Sequence, residues 1–489
     1  MTPREEKAMT PREARPAAAA LGFFTIVVQA ALLREYLVLF RGSELALGAF
    51  YGSWFLAIAV AAAVAHRSAR LRTAVAEQVR VVLALYPVGA VLGLALLAGV
   101  RILAGVPPWA PVPPGILLVG GFLAALPVGA VTGVLFPALC DAVAREPRAG
   151  ASTGYVWEAA GAVLGGLAAA GMFLAGFDGL TAVAAAGLVT AAAAWPWSRG
   201  ADVRTGLIPA VVAAGCLAIL VPPAGPAIRG ALSDLRLRAN ISGAFLLDET
   251  STPHGLVTTA RIGTDTVVAI DGVVTMTVPP GPDVPVEAAL LAVQPAGRGR
   301  AILLGTGRFA LASALCRAFG DVEVVGPDEQ ALRTLRAVWE SGGAVLPSNL
   351  RTTVEDPRSR VRRAARTGER FDLAVIAVGE PRTLGDNRLH TVEFERELML
   401  VLAPGGVVAS GFRSGENVLG PEALRYGRSM RASLAEVFPA VAAVPGDQAL
   451  LLASIGPEQL AIDPTTLARR VRELGAAAGG ASPAAVAER

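Results

Sequence analysis

Two groups of residues have the types and spacing to do chemistry: charged side chains set inside apolar runs, and a glycine turn set behind a short apolar string. Arg34, Glu35 and Glu158 lie within long hydrophobic stretches, with Gln29 beside the first two. An ionisable group is costly in hydrocarbon, so each is a candidate intramembrane site by default. Two readings stay open: either Arg34 and Glu158 face one another across a helical bundle, or Arg34 and Glu35 mark a helix end while Glu158 reaches toward the headgroups. In the second group, Gly305-Thr306-Gly307 follows Arg300-Ala-Ile-Leu-Leu304. A glycine turn after a buried strand is where a doubly wound fold brings its backbone close to a nucleotide. An acid ending the next strand would hold a ribose, but here Val325 is followed by Gly326-Pro327-Asp328. Asp328 either reaches a nucleotide or caps the helix that begins there. The cysteines (Cys140, Cys216, Cys316) and histidines (His66, His254, His390) have neither disulfide nor metal-ligand spacing, and no metal site is expected.

Composition divides the elements that must position these residues into two sets. Hydrophobic residues make up 53% of the 489 and charged residues 17%, and mean hydropathy is +0.54, which excludes disorder, a secreted disulfide scaffold and a purely soluble enzyme. Residues 1–224 carry 15 Lys+Arg and 11 Asp+Glu, leaving 28 and 29 for residues 225–489. The chain therefore has a charge-poor membrane half and a charge-rich soluble half. Because the excess positive charge belongs to the membrane half, a nucleic-acid face is not expected.

Seven apolar runs approach the ~20 residues needed to cross a ~30 Å hydrocarbon core: 17–40, 45–65, 81–103, 115–139, 153–177, 179–197 and 206–224. The sixth is short. Arginines crowd alternate loops: Arg4, Arg12 and Arg15, then Arg67, Arg70, Arg72 and Arg80, then Arg145 and Arg148, then Arg199 and Arg204. The other loops offer Arg41 and Arg101. This bias places the N-terminus in the cytoplasm of a multi-pass plasma (inner) membrane protein, and seven spans put the soluble half outside it. Gly161 and Gly165 have the spacing that permits close helix contact.

Beyond residue 240 the pattern changes. Gly255-Leu-Val-Thr-Thr-Ala-Arg261, Thr266-Val-Val-Ala-Ile270 and Gly272-Val-Val-Thr-Met-Thr277, separated by Gly- and Asp-bearing turns, read as a small antiparallel sheet. Strands and helices then alternate, with strands at 300–305, 322–325, 371–378 and 405–410 and a helix over 329–341, which implies a parallel sheet with ligands at its carboxyl end.

Taken together, these strings resemble the spermidine synthase (polyamine aminopropyltransferase) domain over residues 240–455, and the whole chain resembles the family's membrane-fused bacterial members. The resemblance rests on Ile270-Asp271-Gly272-Val273, Gly305-Thr-Gly307, Phe371-Asp372, Arg388-Leu-His-Thr-Val-Glu393-Phe394 and Leu402-Ala-Pro-Gly-Gly406. Ser414-Gly-Glu416-Asn417, Val437-Phe438-Pro439 and Pro445-Gly446-Asp447 continue it. Upstream, Phe40-Arg-Gly-Ser-Glu44 and Gly161-Ala-Val-Leu-Gly165-Gly166 are similar to the membrane halves of such fusions.

The resemblance implies aminopropyl transfer from decarboxylated S-adenosylmethionine, as co-substrate, to a polyamine. An uncharged amine attacks the carbon beside a sulfonium, which calls for one acid to take the amine proton and others to hold cationic substrates. The family's Asp-x-x-Asp-Pro string matches Ala377-Val-Gly-Glu380-Pro381, so its proton acceptor is alanine and Glu380 is the remaining catalytic candidate. Gly305, Gly307 and Asp356 match co-substrate positions, Asp328 is the displaced acid that would bind the co-substrate if it reaches it, and Glu287 is what remains of the amine-binding segment. Arg308 stands where the glycine loop normally carries an acid, and Gly326 matches the ribose-binding acid.

The fold expected is therefore a multi-pass bundle of about seven helices, a small antiparallel β-subdomain and a Rossmann-like α/β domain of methyltransferase or spermidine synthase type. The divisions are 1–16 (tail), 17–224 (bundle), 225–285 (β-subdomain), 286–456 (α/β domain) and 457–489 (a helix and a flexible tail). Three functions stay open: an aminopropyltransferase-like enzyme, a catalytically degenerate protein that binds a polyamine, a nucleotide or another protein, and a membrane carrier with a regulatory soluble domain. The expected partners are the lipid bilayer, a polyamine and further copies of the chain as a homo-oligomer.

Overall fold

A computed structural model of the chain describes residues 10–40, 42, 44–108, 110, 112–146, 150–194, 203–378, 383–414, 420–446, 448–456 and 460–488. It divides into two compact units, Met1–Leu256 and Val257–Arg489. Glu380 lies outside the described residues, as do Glu416, Asn417 and Asp447 of the resembling strings.

The first unit is helical: α1 (Pro11–Leu39), α2 (Leu45–Arg67), α3 (Ala69–Glu77), α4 (Val79–Leu103), α5 (Pro114–Val143), α6 (Ala151–Leu174), α7 (Gly179–Ala194), α8 (Val203–Leu220) and α9 (Ala224–Asn240), followed by strand β1 (Ala244–Thr252). The first helix starts earlier than the tail of 1–16 allowed. Thr10 and Glu13 close a capping box, with the Thr10 amide 2.8 Å from the Glu13 carboxylate, and so nucleate the helix ahead of its apolar run.

Five helices are long and apolar enough to cross a membrane among the described residues, or six if the bent pair α8–α9 is one span. The expected seven is thus reduced on length. Helix α7 has 16 residues, about 24 Å at 1.5 Å per residue, and α8 turns by 75° into the charged α9. Helices α1 and α6 run parallel in backbone contact: a Cβ on Gly161 would stand 2.8 Å from Ala19 Cα, and one on Gly165 2.9 Å from Phe23 Cα. Only glycine allows that approach. Deep in the bundle, Tyr86 of α4 hydrogen-bonds Thr25 of α1 (2.9 Å) and Thr132 of α5, pinning three helices through hydroxyls that hydrocarbon would leave unsatisfied.

The second unit begins within β2 (Gly255–Ile262), which forms an antiparallel meander with β3 (Asp265–Ile270) and β4 (Val273–Val278). The β3–β4 turn is Asp271-Gly272, with φ of 48° and 72°. A two-residue hairpin turn with both central residues left-handed selects this Asp-Gly pair.

The α/β part follows: α10 (Asp283–Ala292), β5 (Arg300–Leu304), α11 (Phe309–Leu315), β6 (Asp321–Gly326), α12 (Glu329–Ser341), β7 (Leu350–Val354), α13 (Pro357–Thr367) and β8 (Phe371–Ile376). It continues with α14 (Leu384–Asn387), α15 (Val392–Met399), β9 (Leu402–Arg413), α16 (Pro421–Ala435), β10 (Ala440–Val444), β11 (Gln448–Ser454), α17 (Pro464–Leu474) and α18 (Pro483–Ala487). The sheet order is β10-β11-β9-β8-β5-β6-β7, parallel except where β11 enters antiparallel between β9 and β10. This is the Rossmann-like, methyltransferase-type sheet expected.

Strand residues alternate between two cores. Ala301, Leu303, Leu373 and Val375 face α10, α11, α12, α17 and α18, whereas Ile302, Leu304, Ala374 and Ile376 face α13, α15 and α16. The C-terminal tail is not a loose end. Val486 and Ala478 are buried in the first of these cores, and the Arg317 guanidinium donates to the Gly479 carbonyl at 3.0 Å. Its small apolar residues read as linker composition, yet they cover α10.

Candidate functional site

In a parallel sheet, helix N-termini and strand carboxyl ends gather on one edge, and the order reverses between β5 and β8. That switch point opens the crevice where such folds bind ligands. Gly305 turns there with φ +125°, its amide donating to the Val325 carbonyl at 2.8 Å. A Cβ at Gly305 would stand 2.8 Å from Val378 Cγ1, so the position requires glycine on both conformation and space. The Gly307 amide donates to the Ala377 carbonyl at 3.1 Å. The glycine turn therefore packs onto the end of β8, and Ala377 beneath it is 0% exposed.

Arg308, the base in the acid's place, forms an ion pair with Glu287 of α10. Glu287 is 4% exposed, its second oxygen, Oε1, has no hydrogen-bond partner, and the Arg308 guanidinium lies against Gly411 of β9. The carboxylate that would hold an amine thus already holds a guanidinium.

The other two acids on this edge serve the helices behind them. Asp328 caps α12, its Oδ1 accepting from the Gln330 and Ala331 amides at 3.0 and 3.1 Å. Asp356 caps α13 through the Ser359 amide at 3.0 Å and pairs with Arg388 through its other oxygen. Burial pushes the Asp356 carboxyl upward, but the Ser359 amide and the Arg388 guanidinium outweigh it and hold the group below its ordinary range. Glu355 is likewise engaged by Arg363 at 2.6 Å.

Two titratable residues near this edge had no role in the sequence reading. His390 is buried, its Nδ1 3.4 Å from the Ser410 hydroxyl, and Ser410 is in register with Ile376, one residue before Ala377. Glu395 is 1% exposed, its Oε2 has no partner, and burial raises its carboxyl to about 8. The only sequence signal for either was membership of the string from Arg388 to Phe394 or adjacency to it.

The intramembrane candidates separate. Arg34 donates to the Thr252 carbonyl (2.7 Å) and the Ser251 hydroxyl (3.1 Å), with its guanidinium 4.7 Å from the Phe173 ring centre. Glu35 pairs with Arg236 of α9 (3.2 Å), which also reaches Glu249 of β1 (3.5 Å). The backbone of Glu158 instead faces Gly22 of α1. Phe173 lies roughly 22 Å beyond Glu158 along α6, so Arg34 and Glu158 do not meet. Parallel packing of α1 and α6 forbids it, and Arg34 and Glu35 occupy the helix-end environment of the second reading.

No family model matches the chain, and no curated protein matches it either. Among solved structures, a spermidine synthase in complex with the transition-state analogue AdoDATO is similar at 14% identity, with 45% of this chain and 78% of that chain covered and a TM-score of 0.37. The Thermotoga maritima spermidine synthase is similar at 14% identity, with 45% and 77% covered and a TM-score of 0.36. Human methyltransferase-like protein 13 in complex with SAH is similar at 18% identity, with 40% and 91% covered and a TM-score of 0.32.

Proposed function

We propose that this chain is a membrane-anchored protein whose C-terminal domain keeps an aminopropyltransferase-type fold as a binding module and has given up aminopropyl transfer. The observation that carries the reading is the buried Glu287–Arg308 pair. A site that captures cationic amines needs an unspent carboxylate, and this one is neutralised by a side chain of the same domain. Ala377, buried at the matching proton-acceptor position, supports it further. Loss of a positioned general base alone costs about 10²–10⁴-fold in rate.

The path of the membrane unit also favours this reading. Arg15 at the start of α1 pairs with Glu146 beyond α5, whereas Arg34 and Glu35 at its far end hold β1 and α9. The chain thus leaves the bundle at the end opposite its N-terminus. With the arginine-rich loops in the cytoplasm, the C-terminal domain lies outside it, away from intracellular nucleosides.

The test is direct. Full-length protein in detergent, given decarboxylated S-adenosylmethionine and putrescine, yields no spermidine, and Glu380→Gln changes nothing. Spermidine formation that Glu380→Gln abolishes would overturn the proposal in favour of retained family chemistry, a reading for which the unpartnered Glu287 Oε1 speaks.

A further inference from the structure

The two helical layers of the α/β unit differ in charge. Helices α13, α15 and α16 on one face of the sheet carry nine arginines against four glutamates, a net of +5. Helices α10, α11, α12, α17 and α18 on the other carry five arginines against five acids. Residues 257–489 as a whole have 25 arginines and 26 acids, so the domain is near neutral and its positive charge is concentrated on one layer.

Part of that charge is unspent. Elsewhere the helices pair their arginines internally, as in Arg333–Glu329 of α12 and Arg469–Glu473 of α17. Arg366, Arg428 and Arg431 are exposed and have no carboxylate partner among the described residues. On α16, Arg428 and Arg431 share a face with Leu424, and Met430 and Leu434 are buried in the core. Met399 and Leu400 at the end of α15 are 36% and 57% exposed, and Leu424 is 36% exposed. Arginines interleaved with exposed aliphatic side chains suit the interface of an anionic bilayer, where the cations meet headgroup phosphates and the alkyl groups enter the acyl boundary.

We propose that the α13–α15–α16 face is a membrane-contact surface that binds anionic phospholipid headgroups. A bilayer is always within reach, because the chain passes from its last apolar helix at Leu220 to the α/β unit at Val257. A nucleic acid would use the arginines but leave Met399, Leu400 and Leu424 in water. The proposal is independent of what the crevice binds.

The test uses the full chain in nanodiscs of phosphatidylcholine alone or with about a third phosphatidylglycerol, read by amide hydrogen exchange. Exchange across α15 and α16 is expected to slow by about fivefold or more in the anionic discs, the weight of one arginine near such a surface. The slowing disappears in molar salt and in Arg428→Glu/Arg431→Glu, whose exposed positions leave the core untouched. Equal exchange in both discs, or slowing confined to the α10–α12–α17 face, overturns the proposal. So does protection of α16 by added RNA in neutral discs without any effect of anionic lipid.

Discussion

At the scale of single residues, Arg308 and Glu287 form an ion pair in which the carboxylate is buried. Removing one partner of a buried pair leaves an uncompensated charge at a cost of about 3–5 kcal/mol. Arg308→Met should therefore lower the unfolding midpoint of the detergent-solubilised chain, and Arg308→Met with Glu287→Met should recover most of the loss. A single variant as stable as the parent would mean that the pair does not form. Glu395 gives a pH-dependent prediction. Burial raises its carboxyl from 4.5 to about 8, so between these values the folded chain holds a proton that the unfolded chain has released. Its contribution to stability is full below about pH 4.5 and is lost as the pH rises through about 8. Glu395→Gln should melt with the parent at pH 5 and above it at pH 9, and parallel melting curves at both would exclude the assignment.

At the scale of elements, glycines set the distance between helices, and aspartates set where helices start. A side chain at Gly161 would strike the backbone of Ala19, whereas Gly171, ten residues further along α6, has nothing within 4 Å of its missing Cβ. Gly161→Leu should separate α1 from α6 at more than the ~1–3 kcal/mol of ordinary overpacking. Gly171→Leu should be silent, and thermal unfolding in micelles compares the two. Asp328 and Asp356 were legible as acids beside a crevice. Only the geometry of the following amides shows that they cap α12 and α13, because a cap and a ribose ligand ask for the same residue type at the same strand end.

At the scale of the whole molecule, the membrane unit ties its N-terminal end through Arg15 and its exit end through Arg34 and Arg236. Reporters fused before Met1 and after Arg489 should therefore score on opposite sides of the membrane, with the N-terminal one cytoplasmic. Two cytoplasmic signals would make the bent pair α8–α9 a sixth span and place the C-terminal domain in the cytoplasm.

The sequence by itself determined what depends on near neighbours. The charge-poor and charge-rich halves, the apolar runs, the Asp271-Gly272 hairpin and the alternation that places Ile302 and Leu303 on opposite faces of β5 are all properties of composition and period. The tertiary structure decided which of these faces meet. Arg34 finds Thr252, more than 200 residues away, and not Glu158. Arg308 finds Glu287 on a preceding helix, and a glycine- and alanine-rich tail becomes core because α10 offers it an apolar face. A carboxylate's type is written locally, but whether it is free to bind depends on the cation that folding brings beside it.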